Sequence, residues 1–437
     1  MIYTLITTIG TSDYKEIEYE FDGRKIFTPY PSVALCKLLP SKPKSILAFL
    51  TEEAREKNWA RYRESLKEAS GIEPELVIIP AGRNEGELIE IFRKIVDSFQ
   101  GKGRELDIIL DITFAFRSLQ FIFFVTTFYL SSHPNYKLKG IYYGALEQKV
   151  ENCAPIINLQ RLIRMVEWYY SVRTFQDTGS LVMLSRLFQK ISADFAKSDK
   201  NIEMVSAIRD SFNKLVFPLD NALPLECGLQ ARMISKKLSE IRTNGIVEEL
   251  PEWKMIGGEV DSLFSWLNFP PEIEITAKSQ IVLDENEIKR ELKLIEFYLK
   301  HKRVQEALLL MREWLINLLL WVQGVKNWLD KDERYPNGDK LLGYWRELFK
   351  TNQKDKLNTF QTNIAELFNQ VADLRNDLAH CGFDVQNVQA TSDNKLETIF
   401  KKLEMLIEDA KKVSPEDVKY PREESPEVGV RGGGEET

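Results

Sequence analysis

The residues best suited to chemistry sit near the end of a helix-forming stretch. Arg375 and His380 lie five residues apart in Leu374-Arg375-Asn376-Asp377-Leu378-Ala379-His380. Histidine, with an ordinary pKa of about 6.5, takes or gives a proton at neutral pH. Arginine holds a phosphate and stabilises charge that develops on it. Together they would suit RNA cleavage with the ribose 2′-hydroxyl as nucleophile, a reaction that needs no metal. On a regular helix, residues five apart point about 140° from each other, with about 7.5 Å of rise. One helix therefore does not easily converge both on one phosphate. Two copies in a dimer can, and Gly382 can end the helix and free His380. Spacing alone favours a plainer reading, an arginine on a solvated helix face and a histidine near the helix end.

A second set of candidates falls where short apolar runs end. Gly10-Thr11-Ser12 follows the first run, Gly82-Arg83-Asn84 the third, and Asp111-Ile112-Thr113-Phe114-Ala115-Phe116-Arg117 the fourth. In an open parallel sheet, ligands bind at the carboxyl ends of the strands. Small residues there allow close backbone approach, and the hydroxyls can bond a phosphate or ribose. An arginine near a helix N-terminus, such as Arg117, suits an anion. Taken singly, each cluster also fits an ordinary structural role. With neither GxGxxG nor a P-loop, usual dinucleotide or triphosphate binding is not expected.

Two kinds of element must position these groups. Residues 1–150 alternate between strand and helix patterns, which predicts an α/β unit with a parallel sheet and helices on both faces. Strands are expected at Ile2–Ile9, Ser45–Leu50, Glu75–Ile79 and Leu106–Ile112, with a last strand or strand pair in Leu138–Val150. Asp22-Gly23 marks a hairpin. Thr51 and Asn84 are expected helix caps. From about Asn158 the pattern is helical throughout, an all-α half. In Thr359–His380, Ile364, Leu367, Val371, Leu374 and Leu378 form an apolar seam that faces a core or a partner helix. The expected division is 1–157, 158–280 and 281–412, with a disordered acidic tail at 413–437.

Composition narrows the function. Of 437 residues, 43% are hydrophobic and 29% charged, and 66 acids against 59 bases give a net charge of −7. A globally basic nucleic-acid coat is excluded; a local basic cleft is not. No apolar run reaches the roughly 18 residues of a membrane span. The opening MIYTLITTIG reads as a strand rather than a signal peptide. Cys36, Cys153, Cys227 and Cys381 form no CxxC pair, and the histidines are three, His133, His301 and His380. A cytoplasmic protein without a resident metal or cofactor is expected. The basic run Lys300–Arg303 reads as a solvated turn, and Trp314 and Trp321 as packing residues.

The order of motifs resembles a family. GTSDY, TEEA, GRNEGELIEIF and DITFAFRS, each after a strand, look like a CARF (CRISPR-associated Rossmann fold) domain over residues 1–155. DITFAFRS is similar to the signature of the DxTHG group of type III CRISPR accessory proteins. Asp111, Thr113 and Arg117 match; Phe114 and Ala115 stand where that signature has histidine and glycine. RNDLAHCGF resembles the R-x4–6-H motif of HEPN ribonucleases, and ALLLMREWLINLLL the opening helix of such domains, over residues 285–410. The resemblance implies a Rossmann-like sensor followed by a HEPN-like helical domain. It implies a homodimer or higher oligomer that binds cyclic tetra- or hexa-adenylate through Gly10, Thr11, Ser12, Gly82, Arg83, Asn84, Asp111, Thr113 and Arg117. It also implies cleavage of single-stranded RNA with Arg375 and His380 as catalytic groups and Asn376 in support. Two other readings remain, a regulator without catalysis and an enzyme that degrades its own cyclic activator.

Overall fold

The computed structural model describes residues 3–99, 106–114, 117–131, 133, 135–195, 202–243, 262, 264–269, 275, 277–379 and 393–419. The chain forms two compact units, Met1–Val166 and Glu167–Thr437.

The first unit is built on β1 (Tyr3–Thr8), β2 (Ile17–Phe21), β3 (Arg24–Thr28), β4 (Pro43–Leu50), β5 (Glu75–Ile78), β6 (Leu106–Asp111), β7 (Tyr136–Gly144) and β8 (Cys153–Asn158). They form one sheet in the order β3-β2-β8-β7-β6-β1-β4-β5. The run β7-β6-β1-β4-β5 is parallel throughout. Four helices belong to it: α1 (Pro31–Leu38), α2 (Glu52–Ser70), α3 (Glu85–Asp97) and α4 (Arg117–Ser131). Strand alternation divides the core. Leu5, Ile46 and Ala48 pack with Val33, Leu35, Tyr62 and Leu66 of α1 and α2. Ile6, Leu47, Phe49 and Leu110 pack with Ile91, Ile95, Leu119 and Phe123 of α3 and α4. Both faces of the central strands are thus covered, which is why they read as continuous apolar runs. The Thr51 and Asn84 side chains accept the N–H groups of Ala54 and Glu87 and start α2 and α3.

To the expected parallel set the sheet adds a hairpin and β8, so it is mixed. The hairpin β2–β3 turns at Asp22 and Gly23, both with positive φ (52° and 71°), as the two-residue turn requires. It joins the sheet through β8, parallel to β2 and antiparallel to β7. The sequence reading gave β8 no strand, because Pro155 interrupts a short run. β8 lies between β2 and β7, with Pro155 in register with Glu20 and its carbonyl accepting the Ala145 N–H at 2.9 Å. Glu151 and Asn152, at φ 48° and 74°, form the tight turn before it without a glycine.

The second unit is helical. It comprises most of α5 (Gln160–Thr178) and α6 (Val182–Phe195), α7 (Ile202–Asp220), α8 (Pro224–Thr243), α9 (Glu285–Lys300), α10 (Val304–Val322), α11 (Lys340–Lys350), α12 (Thr359–Ala379) and α13 (Asp393–Ala410). One hydrophobic core runs from Trp168 to Val418, across the expected division at 280. No helix was anticipated at α11, because Pro336-Asn337-Gly338 reads as a break. The chain instead passes from a helical turn at Lys331–Arg334 through a π turn at Tyr335–Asp339 into α11. α12 opens on a reciprocal cap: Asn358 Oδ1 accepts the Gln361 N–H and Gln361 Oε1 accepts the Asn358 N–H. The Gln361 amide also donates to the Asp417 carbonyl, and Val418 is fully buried. The start of the expected tail is therefore anchored to the core by Val413 and Val418, and residues 420–437 lie outside the described ones. Among the described residues, no helix is long and apolar enough to cross a membrane.

Candidate functional site

At the carboxyl end of β1, a cavity of about 500 Å3 is lined by Gly10, Thr11, Ser12, Asp13, Tyr14, Lys15, Ile17, Tyr19, Pro29, Thr113, Phe114 and Leu146. The loop that forms its rim is held from two sides. The Gly10 N–H donates to the Tyr14 hydroxyl at 2.6 Å. The Asn58 amide, on α2, donates to the Gly10 and Ser12 carbonyls at 2.9 and 3.0 Å. Tyr14 stacks at a tilt on Phe114, 4.5 Å between ring centres. Burial pushes its hydroxyl up to about 12, against the opposing Gly10 N–H. Among the described residues, the fully buried Tyr19 hydroxyl has no hydrogen-bond partner.

Asp111 sits under the cavity at the end of β6, 2% exposed. Its Oδ1 accepts the Thr113 N–H at 3.0 Å and the Thr113 hydroxyl at 2.7 Å; its Oδ2 accepts the Thr7 hydroxyl at 3.0 Å. Thr113 Oγ1 in turn accepts the Gly144 N–H at 2.9 Å. The hydroxyls of Thr7 and Ser32 each lie 2.7 Å from the Tyr62 hydroxyl. A buried polar network thus ties β1, β6, β7, α1 and α2 together directly below the site. Burial raises the Asp111 carboxyl above the usual range; the three hydrogen bonds oppose this without cancelling it.

Among the nine residues expected to bind ligand, Gly10, Thr11, Ser12 and Thr113 line the cavity, and Asp111 braces it from below. Gly82, Arg83 and Asn84 follow β5, two strands from β1, and do not line it. Asn84 caps α3, and the Arg83 N–H donates to Glu87 at 2.8 Å. Arg117 opens α4, and its side chain is outside the described residues. Sequence reasoning missed Tyr14, Tyr19 and Asn58. Tyr14 stands within the GTSDY motif; Asn58 carries no local signal, because its role exists only across 46 residues of chain.

In the helical unit, Ile364, Leu367, Val371 and Leu374 of α12 are buried in the shared core, so the seam faces the chain's own helices. Arg375 is half-buried and Asn376 exposed, one turn before the helix ends. The Arg375 guanidinium lies 3.5 Å from Asn376 Oδ1. His380 lies outside the described residues. The remaining candidates have structural roles. The His301 ring bonds the Phe297 and Gln176 carbonyls at 2.7 and 3.0 Å. Arg303 pairs with Glu306 and Asp220. Trp314, Trp328 and Trp345 are buried in the core.

The chain is similar to three known references. Residues 4–147 match the family model described as CRISPR system endoribonuclease Csx1, CARF domain. The CRISPR-associated protein MJ1674 of Methanocaldococcus jannaschii is 29% identical over 126 residues, 29% of this chain. The chain spans only 20% of that relative's length. A solved structure of Enterococcus italicus Csm6 bound to cyclic hexa-2′-fluoro-hexa-dAMP aligns with TM-score 0.46 and 10% identity, over 96% of this chain and 97% of that one. The matched family region contains β1, the Gly10–Tyr14 loop, Asp111 and Thr113. The N-terminal unit is thus similar to a CARF domain over nearly all of its length.

Proposed function

We propose that this protein is a cyclic-oligoadenylate-activated, metal-independent endoribonuclease of type III CRISPR defence. The observation that carries the reading is the strand-end cavity of the CARF-like unit, with its braced loop. Thr11, Ser12 and the loop backbone would bond ribose and phosphate oxygens, and the Tyr14–Phe114 pair would face adenine. Two copies of the chain would share one ring. The ligand activates by binding the active arrangement of the dimer more tightly than the inactive one.

In the helical unit, His380 would remove the proton of a ribose 2′-hydroxyl. That oxygen attacks the adjacent phosphorus, and the bond to the 5′-oxygen breaks. The leaving oxygen takes a proton from the His380 of the other copy or from water. The products carry a 2′,3′-cyclic phosphate and a 5′-hydroxyl. Arg375 would hold the phosphate and stabilise its added charge, with Asn376 fixing the guanidinium.

The test is cleavage of a fluorescent single-stranded RNA in EDTA, with cyclic tetra-adenylate, cyclic hexa-adenylate or no ligand, for the parent and His380→Ala. Cleavage that needs one ring size and is absent from the variant supports the reading. Tight ligand binding without cleavage replaces it with a non-catalytic regulator. Loss of the ligand itself, independent of His380, identifies an activator-degrading enzyme.

A further inference from the structure

A cationic and aromatic stripe lies at the π turn before α11. Asp330 caps the helical turn Lys331–Arg334, and the chain continues through Tyr335–Asp339, where the Lys340 N–H bonds the Tyr335 carbonyl. Pro336 has no N–H to offer the ladder. The turn is held instead by the Asn337 amide on the Glu333 carbonyl and by the Gln323 amide on the Asn337 carbonyl, both at 2.8 Å. Gly338 lies against α10, where a Cβ would stand 2.6 Å from Ile316.

The extra residue of the π turn decides which side chains share a face. In an α-helix, Lys331, Tyr335 and Asp339 would follow one another at one-turn spacing. Closure over five residues puts Lys340 in the place of Asp339. Asp339 is turned to Arg312 and neutralised there. Arg334 is engaged by Asn317 at 2.6 Å and by Glu313 at 2.7 Å. What remains is a Tyr335 ring, 61% exposed, between two lysines. Among the described residues, none of Lys331, Tyr335 and Lys340 has a hydrogen-bond or ion-pair partner for its side chain. The recess they line holds about 600 Å3, and Asp332 is its one acid without an opposing arginine. Arg346 on α11 bonds Asn369 and Asp373 on α12 at 2.9 and 3.1 Å. In an antiparallel pair with that register, Leu342 stands level with Arg375, and Lys340 within a turn of it.

We propose that Lys331, Tyr335 and Lys340 form a subsite for single-stranded RNA beside Arg375. The lysines take backbone phosphates, and one base stacks on Tyr335. The choice of RNA rests on the ribonuclease reading; binding at the stripe does not require cleavage.

The test uses the full chain carrying His380→Ala and the anisotropy of a fluorescein-labelled oligouridylate. Tyr335→Ala should weaken binding about tenfold, and Tyr335→Phe should retain it. Each of Lys331→Ala and Lys340→Ala should weaken binding and lower the salt slope by about 0.7. No binding by the parent, or affinities unchanged in all the variants, overturns the subsite. So does loss with the lysines alone while Tyr335→Ala binds as the parent, since that is a diffuse charge effect. Cleavage by otherwise wild-type chains separates the two proposals. Ligand-dependent cleavage with KM unchanged in the Tyr335 and lysine variants removes the subsite and leaves the nuclease. Binding that depends on the stripe, with no cleavage under either ring, leaves the subsite and removes the nuclease.

Discussion

The strand-end cavity and the end of α12 handle their polar groups in opposite ways. Below the cavity, Asp111 makes three hydrogen bonds inside the protein and is 2% exposed. Its loop is fixed by Tyr14 and Asn58 before any ligand arrives. At the end of α12, Arg375 is half-buried, and among the described residues its guanidinium lies a long 3.5 Å from Asn376 Oδ1. The first site is braced by several short hydrogen bonds; the second shows one long contact among the described residues. Under the proposed function, that division fits a sensor that is ready to bind and a reaction centre that must be assembled.

The largest effects should follow from removing the two proposed catalytic groups. His380→Ala and Arg375→Ala should each lower ligand-stimulated RNA cleavage by roughly a hundredfold or more. Ligand affinity, measured by calorimetry, should stay within a factor of two or so of the parent. A matching loss of ligand binding would mean that the two regions are not separable as the comparison requires.

Next come two buried carboxylates, Asp111 in the first unit and Glu291 in the second. Asp111→Ala leaves the Thr7 and Thr113 hydroxyls without their acceptor and should destabilise the N-terminal unit by about 2–3 kcal/mol. Amide exchange along β1 and β6 would read it. Burial raises the Asp111 carboxyl, so its ionisation opposes folding. Stability linked to it is full below the ordinary carboxylate range and is lost as pH rises through the folded value. Asp111→Asn keeps the Thr113 N–H bond and cannot ionise, so its stability relative to the parent should rise with pH. In the helical unit Glu291 is fully buried, accepts the Asn317 amide at 2.9 Å, and is pushed up to about 8, first by burial and then by Glu287. Its linked stability is present near pH 4 and is lost as pH rises through 8. Glu291→Gln should flatten that decline, seen as a smaller drop in α9 and α10 protection between pH 5 and 9. An unchanged slope would mean that Glu291 is charged in the fold.

What the sequence allowed to be read follows from the range of the interactions. The central strands, the Asp22-Gly23 turn and the Thr51 and Asn84 caps depend on neighbours within a few residues, and all were legible. The Gly10-Thr11-Ser12 loop and Thr113 could be placed at the cavity because strand ends mark it. β8 was not, since its partners β2 and β7 override Pro155. Nor was α11, because the π turn that carries helix across Pro336 depends on Asn317, Glu313 and Gln323 from α10 and its end. The Asp111 motif residues read as ligand contacts; the structure uses the carboxylate as a brace, a role visible only once Thr7 and Gly144 are beside them.

The smallest effect probes the brace around the loop. Asn58 contributes nothing to the cavity wall, but its amide holds the Gly10 and Ser12 carbonyls. Each such bond contributes about 1 kcal/mol when its partner can turn to water instead. Asn58→Ala should therefore cost the ligand about three- to tenfold in affinity, because the loop must now be ordered on binding. The loss should appear as a less favourable entropy, with cleavage at saturating ligand unchanged. Asn58→Asp is the sharper variant. It is nearly the same shape, but its carboxylate would face two carbonyl oxygens as an acceptor with no proton to give. It should weaken binding more than Asn58→Ala. Equal affinities for parent, alanine and aspartate variants would show that the loop needs no support from α2, and the contrast between a preorganised cavity and an unassembled helix end would then rest on Asp111 and Tyr14.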